Sequence, residues 1–503
     1  MTQYVLINRR AGKFTAQAKE ASRAAVATTI ARLAGNSRVV ADKDPADETA
    51  RRVVVFDADA AHVAHLRSTL PADAILEPLV RRKLHRHTPI ELAAASPLNG
   101  LALGGSAATY KVTVKGGGDP LAGIEVMFYV RDPSGHIGIA TATTDKQGRA
   151  KIGLPQGSSV SFVEPIPYSG FWIMLAEAPP SGSTIDCLPV AKASNGGGAW
   201  WHSAMGVDVN AQGRGAGLKV GVIDTGCGPH PNLGHVKLVG AYVDGHSLPG
   251  SQATDVAEHG THTTGIVGAR RKKAGDYAGM APDCELFHAR VFKGEGEGDG
   301  PSQADIVNAI DALSRDNKCD LINMSLGGGP PSEAEEDCIR DAAERGTLCI
   351  CSAGNDAGPI EFPGAYAECS AVSAIGRIGW APSGTFSSSN RPHVAAMLGQ
   401  HNLFLAAFSC FGSTLACAAP GVGIVSTVPD KKGVTGAYME MDGTSMASPA
   451  ACGALAVILS QDAAYKALPR DISRTTAARN ALAQHCVPFG LAVKFEGRGL
   501  PTV

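Results

Sequence analysis

A chain of 503 residues with 45 Lys/Arg against 47 Asp/Glu is long enough for about three domains, each with its own core. A net charge of −2 gives no general case for nucleic-acid or membrane binding, and no apolar run approaches the roughly 18 residues of a transmembrane helix. The charge is uneven, however: residues 1–90 hold 15 Lys/Arg and 9 Asp/Glu, a surplus of +6 that leaves −8 for the remainder.

In chain order, MTQYVLINRRAGK carries its charges after a short apolar stretch and lacks the h-region of a signal peptide. The expected location is cytoplasmic, with secretion by a non-classical route as the alternative. Strand YVLIN, helix KEASRAAVATTIARLA, a weakly marked strand near Ser37–Ala41, strand RRVVVFDA, helix AHVAHLRSTL and strand AILEPLV follow. This order predicts a small ferredoxin-like α+β domain over 1–90. It ends in the basic run RRKLHRHTP, which by itself reads as a solvated linker. Residues 100–180 alternate apolar and polar positions in TYKVTVKG, GIEVMFYV and GIATATT, separated by GGGDP, DPSG and DKQG turns. That pattern predicts a small all-β sandwich. Residues 181–198 read as a Pro/Ser/Gly-rich linker. From 199 to 503 buried strands such as LKVGVID, CDLINMSL and TLCICSAGN alternate with helices, which predicts a mostly parallel α/β sheet with helices on both faces. Twelve cysteines, several inside apolar runs and none in a paired C-x-x-C framework, read as reduced, packed thiols.

Chemistry concentrates in the third segment. In GTSMASPAACGALAVILS, Ser445 stands before an apolar run that must be a buried helix, with Pro449 read as lying in its first turn. A helix mouth offers unpaired N–H groups to a developing oxyanion, although a plain N-cap is the commoner role for Ser there. Asp224 ends a buried strand in VGVIDTG, His259 opens a helix in HGTHTTG, and Asn355 ends another strand in SAGND. Each alone has a plainer reading as a turn, a structural histidine or an Asn-Asp turn. A hydroxyl nucleophile needs a base and a carboxylate that orients it, and these residues supply all three. His259 and His262 lack the glutamate of H-E-x-x-H, which argues against zinc, and no metal or cofactor is implied.

Together, in the order Asp, His, Asn, Ser, these motifs resemble those of the subtilisin-like serine proteases, as do INMSLGG, FPGAYAE, GTFSSSN and AAPGVGIVST. The resemblance implies that Asp224 orients His259, that His259 is base and then acid, and that Ser445 attacks the scissile carbonyl of a protein or peptide substrate. It also implies an oxyanion hole from Asn355 and the Ser445 N–H, and a substrate strand laid along Ser325, Leu326 and Gly327. Ser352, Ala353, Gly354 and Glu361 would complete the substrate-binding residues. Glu361, Asp356, Glu258 and the loop with Glu295, Glu297 and Asp299 form an acidic set that predicts cleavage after Arg or Lys. The basic ARRKKAGDYAG argues against a calcium loop after the His259 helix. The insertion RPHVAAMLGQHNLFLAAFSCFGST is a packed excursion or a partner surface.

The first segment is similar to subtilase prodomains, which implies an intramolecular inhibitor whose exit strand lies in the cleft. Self-cleavage is then expected within Arg81–His87, and inhibition is expected to weaken with salt. The intervening sandwich, similar to transthyretin-like or Ig-like modules, would be a spacer or a sensor for an activating partner. The rival reading is a catalytically silent scaffold of the same fold.

Overall fold

The computed structural model describes residues 2–8, 24, 27–29, 38–43, 50–70, 74–84, 96–97, 108–191, 193, 197–294, 300–431 and 433–503. Of the helix expected at 19–34, only residues 24 and 27–29 are described, and they are helical. Arg86, His87 and the acidic loop with Glu295, Glu297 and Asp299 lie outside the described residues.

The N-terminal strands form one antiparallel sheet in the order Arg38–Lys43, Val53–Ala58, Thr2–Asn8, Ala74–Pro78. Period-two alternation divides its side chains between two environments. Tyr4, Leu6, Val54, Phe56 and Leu76 pack on Val63 and Leu66 of helix Ala60–Thr69, whose first turn is capped by Asp59. Val5, Ile7, Val53, Val55 and Ile75 face the other way and join one apolar cluster with Tyr242, Ile306 and Ile310 of the third segment. The sheet is therefore not a free-standing layer. Its second face is covered by the α/β unit.

Residues 96–97 and 108–187 form two packed sheets around Val112, Val114, Phe128, Val130 and Val163. The region 181–198, read as a linker, instead supplies strand Thr184–Cys187, which pairs in parallel with Ala108–Gly116 and buries Ile185 and Cys187. Alternation over only four residues, bounded by Ser and Pro, gave too short a signal against the linker composition. The sandwich docks on the α/β unit through Trp172 against Trp380 and through Glu440, which accepts the Ile173 N–H at 2.6 Å.

The α/β unit is a nine-stranded sheet. From one edge it runs His246–Pro249, Lys237–Val243, Glu285–Arg290, Lys219–Asp224, Leu321–Met324, Leu348–Ser352 and Cys369–Arg377. Leu415–Pro420 continues it in parallel, and among the described residues only His246–Pro249 and Leu403–Leu405 pair antiparallel in it. Leu403–Leu405 comes from the insertion, which is thus a packed excursion: Phe404, Leu405 and Phe408 lie in the main core. Helix Thr444–Gln461 is buried along almost its whole length, as an all-apolar surface demands. All twelve cysteines are unpaired and ten are buried. No helix among the described residues is long and apolar enough to cross a membrane.

Charge as well as apolar surface is buried where the N-terminal sheet docks. The fully buried Arg51 guanidinium reaches Asp311 at 3.0 Å, Asp337 at 3.1 Å and Asp341 at 2.9 Å. Removing one partner of a buried pair typically costs about 3–5 kcal/mol, because the remaining charge is stranded. Arg51→Ala should accordingly speed hydrogen exchange in Val53–Ala58 while exchange in Lys219–Asp224 stays slow. Unchanged protection of the first strand would show that apolar packing alone docks the sheet.

Candidate active site

Asp224 is the last residue of strand Lys219–Asp224 and is fully buried. His259 is the first residue of helix His259–Gly268, and its Nδ1 lies 2.7 Å from Asp224 Oδ1. Strand end and helix start approach closely because residue 260 is glycine: a Cβ there would lie 2.1 Å from the Gly226 carbonyl oxygen. The remaining capacity of the carboxylate is taken by the Thr225 N–H at 2.7 Å and the Thr263 hydroxyl at 2.9 Å. Burial would raise the Asp224 pKa, but the His259 ring and these donors hold it below the usual carboxylate range. The connecting loop is tied down by Asp255, which accepts from Thr225 at 2.7 Å and from the Ala257 and Thr261 N–H groups. His259 Nε2 is buried and makes no hydrogen bond among the described residues.

Ser445 is the second residue of helix Thr444–Gln461, so its N–H is one of the helix's unpaired donors. Pro449 is the sixth helical residue, not a first-turn residue as read from the sequence, because the helix starts with the Thr-Ser pair itself. Its missing N–H is the one that would have bonded the Ser445 carbonyl four residues earlier. That carbonyl accepts instead from the Ser325 hydroxyl at 2.8 Å. Asn323 donates to Ser325 Oγ at 3.0 Å and accepts from Ser448 at 2.6 Å, completing the link between strand end and helix mouth. The Ser445 hydroxyl donates to the Ser325 carbonyl at 3.3 Å rather than to His259. Asn355 lies past the end of strand Leu348–Ser352, and its side-chain oxygen accepts the Thr444 N–H and hydroxyl at 3.0 and 2.8 Å. Its amide nitrogen is thereby turned toward Gly443 and the Ser445 N–H: a Cβ on Gly443 would lie 3.2 Å from Nδ2 and 3.5 Å from that N–H nitrogen.

The predicted substrate residues flank this point. Ser325 is buried at the end of Leu321–Met324, and Leu326–Gly327 form a short strand paired antiparallel with Lys83–Leu84 of the N-terminal segment. On its other side the segment is held by Pro301, whose carbonyl accepts the Arg82 N–H at 2.9 Å, and by an Arg81–Ser302 bridge. Ser352, Ala353 and Gly354 are buried, and Gly354 N–H donates to Thr444 Oγ1 at 3.2 Å. Glu361 is half-buried against this wall: a Cβ on Gly354 would lie 2.9 Å from Glu361 Cγ, and one on Gly328 would lie 3.7 Å from Glu361 Oε2.

Two members of the acidic set stand apart from it. Glu258, in the left-handed region at φ 59°, is ion-paired with Lys431 at 2.6 Å, and Asp356 is exposed. The carboxylates that do meet the basic segment are Asp244, 3.6 Å from Arg81, and the buried Glu335, paired with Arg82; sequence reading missed both. Glu335 sits in EAEEDC, where four acids in five positions of one helix give no sign of which is turned inward. Thr263 was legible in principle, standing four residues after His259 on the same helix face. His262 is structural: its Nε2 donates to the Ile424 and Met439 carbonyls at 3.0 Å, and burial pushes its pKa down to about 3. Asp276, in the basic stretch after the helix, accepts from Asn232 at 3.1 Å and from the Lys272 and Lys273 N–H groups.

Residues 215–488 match the model of the subtilase family. The chain is 32% identical over 317 residues to the major intracellular serine protease of Bacillus subtilis (strain 168), a match spanning 58% of this chain and 88% of the relative. It is 33% identical over 245 residues to Subtilisin Savinase of Lederbergia lenta, spanning 48% and 77% of the two. Against the intracellular serine protease of Paenibacillus polymyxa it is 30% identical over 298 residues, spanning 58% and 80%.

His288, buried behind Asp224, shares a 2.9 Å hydrogen bond with the Thr264 hydroxyl, whose own proton goes to the Gly260 carbonyl, and burial lowers the His288 pKa to about 4. An unfolded histidine titrates near 6.5, so the unfolded chain takes up this proton first. The stability from keeping His288 neutral is complete above about pH 6.5 and is lost as pH falls toward 4. His288→Leu should therefore flatten the fall in stability between pH 7 and pH 4, by on the order of 3 kcal/mol. Calorimetric melts across that range check it; identical slopes would refute it.

Proposed function

Since the chain belongs to the subtilase family, we propose that it is a serine endopeptidase in which Asp224, His259, Asn355 and Ser445 do the chemistry and residues 1–90 restrain it. The observation that carries this reading is the 2.7 Å Asp224–His259 hydrogen bond, together with a serine at the mouth of a buried helix that packs on the His259 helix. Asp224 keeps the proton on His259 Nδ1, so Nε2 is the free base. Rotation of the Ser445 hydroxyl away from the Ser325 carbonyl turns it toward that base, an adjustment expected when substrate replaces the resting contacts. Oγ then attacks the peptide carbonyl carbon while its proton passes to Nε2. The carbonyl oxygen takes the charge and is met by Asn355 Nδ2 and the Ser445 N–H. His259 returns the proton to the leaving amine as the C–N bond breaks, and water hydrolyses the acyl-enzyme by the same path.

The restraint is supported by the pairing of Lys83–Leu84 with Leu326–Gly327, the strand on which a substrate would lie. The segment leads toward Ser325, whose carbonyl touches the Ser445 hydroxyl, which favours self-cleavage C-terminal to Leu84 within Arg81–His87. Its anchoring differs from the expectation of a salt-sensitive surface attraction. Arg51 and Arg82 are fully buried with their partners, and buried pairs are screened much less by salt.

Ser445→Ala in the full chain should abolish peptide hydrolysis and self-cleavage with an unchanged melt. Asn355→Ala should lower turnover by about 10²–10³, a magnitude that itself comes from a subtilisin. Hydrolysis by Ser445→Ala at the natural rate would leave a silent scaffold as the better reading. The placement of Glu361 against Gly354 supports a preference for Arg or Lys before the scissile bond. Glu361→Gln should lower kcat/KM on such peptides by about 10-fold or more, the worth of a charge-assisted hydrogen bond. Leucine and phenylalanine peptides should change far less, and equal losses on both sets would count against the preference.

A further inference from the structure

Arg82 is among the largest fully buried side chains of the protein, and its guanidinium is met on every side by the α/β unit. Nη2 pairs with Glu335 Oε2 and Nε donates to Oε1 at 3.3 Å; Nη1 donates to the Gly328 carbonyl and, at 2.8 Å, to that of Pro330. Tyr366 stands 3.4 Å from Nη2 and 3.1 Å from Glu335 Oε2, held by the Ser332 N–H at 2.8 Å. Glu335 itself is fully buried, on the first turn of helix Glu333–Glu344, capped by Ser332. All these partners lie in residues 328–366 and so stay with the α/β unit when residues 81–84 leave the groove.

Resting on the reading of Lys83–Leu84 as a peptide in the substrate groove, we propose that Glu335 is the floor of an arginine-specific pocket, so that the favoured protein substrates carry an arginine where Arg82 now lies. That position is two residues before the substrate residue opposite Leu326. The chemistry is selective. An apolar side chain would bury the Glu335 carboxylate without a counter-charge, which is unfavourable, whereas a guanidinium pairs with it and meets the two carbonyls. Lysine brings the charge but not the planar fork that reaches carboxylate and carbonyls together. Glu361 is a different carboxylate: it lies against Gly354 and near Gly328, and the Arg82 side chain pairs with Glu335 instead.

The test uses the full chain with Arg82→Ala, which vacates the pocket, and two quenched peptides. One has the sequence of residues 79–90; the other carries leucine in place of the arginine at 82. Cleavage C-terminal to Leu84 is scored by mass spectrometry. The arginine peptide should be favoured in kcat/KM by roughly 30-fold or more, as for a buried charge pair that loses one partner. Adding Glu335→Gln should bring the ratio close to one, and the ratio in the Arg82→Ala chain reads the pocket whether or not the second variant folds. Equal rates on both peptides in that chain would overturn the pocket and leave the endopeptidase reading standing. No cleavage of either peptide, or of casein, would overturn the endopeptidase reading and this inference with it.

Discussion

The Ser445 carbonyl cannot be satisfied inside its own helix, because Pro449 has no N–H to give it. A buried carbonyl left alone is costly, so an outside donor must be present, and Ser325 supplies it at 2.8 Å. This single obligation locks the end of strand Leu321–Met324 to the mouth of the helix. The strand end carries the groove in which a peptide pairs, and the helix mouth carries the hydroxyl and its N–H. Fixing one to the other sets the distance between a bound peptide and Ser445 before any substrate arrives, which is what pre-organisation requires.

Around that lock the two extra units touch the site from different sides. The N-terminal sheet packs its odd-numbered face on the α/β core and sends Arg81–Leu84 along the groove. The sandwich reaches the opposite flank. Tyr168 lies under Lys431, 3.8 Å from ammonium to ring centre, and the same ammonium pairs with Glu258, immediately before His259. Glu258 occupies the left-handed region, a conformation that costs a non-glycine residue free energy and persists only where neighbours enforce it. The sandwich thus helps hold the backbone turn that aims His259 at Asp224. It reaches the helix mouth as well, since the Ile173 N–H is bound by Glu440, five residues before Ser445.

What was legible in the sequence was what depends on local pattern. The strand ending in Asp224 and the one that ends at Ser352, three residues before Asn355, announce themselves as apolar runs closed by a polar residue, and the buried helix after Ser445 by an unbroken apolar surface. Arg81–Leu84 was readable because a charge run next to a strand end stands out. Its partner was not. Glu335 is one of several acids on a helix whose exposed face is also acidic, and the pattern does not tell the three that are buried, Glu335, Asp337 and Asp341, from the rest. Strand Thr184–Cys187 was hidden for a related reason: four residues give period-two alternation too little length to outweigh flanking Ser and Pro. Arg51 shows the same limit, since nothing in RRVVVFDA separates an arginine destined for three aspartates from its half-buried neighbour, which pairs with Asp42.

The buried arginines also bear on how the restraint proposed for residues 1–90 would end. On separation, Asp311, Asp337, Asp341 and Glu335 remain with the α/β unit and lose Arg51 and Arg82 as counter-charges. Arg345 still neutralises part of the first group, at 3.3 Å from Asp311 and 2.5 Å from Asp341. Glu335 has no such second cation among its described ion-pair partners. Departure of the N-terminal segment would therefore strand buried charge at both sites, and the site with no second cation lies in the groove. Cutting the chain after Leu84 would free one end of the segment without removing Arg82 from its pocket, so cleavage alone would leave the groove occupied. A peptide that brings its own guanidinium to Glu335 compensates the carboxylate as the resident segment leaves, and in that sense a matching substrate would also be the most effective means of releasing the restraint.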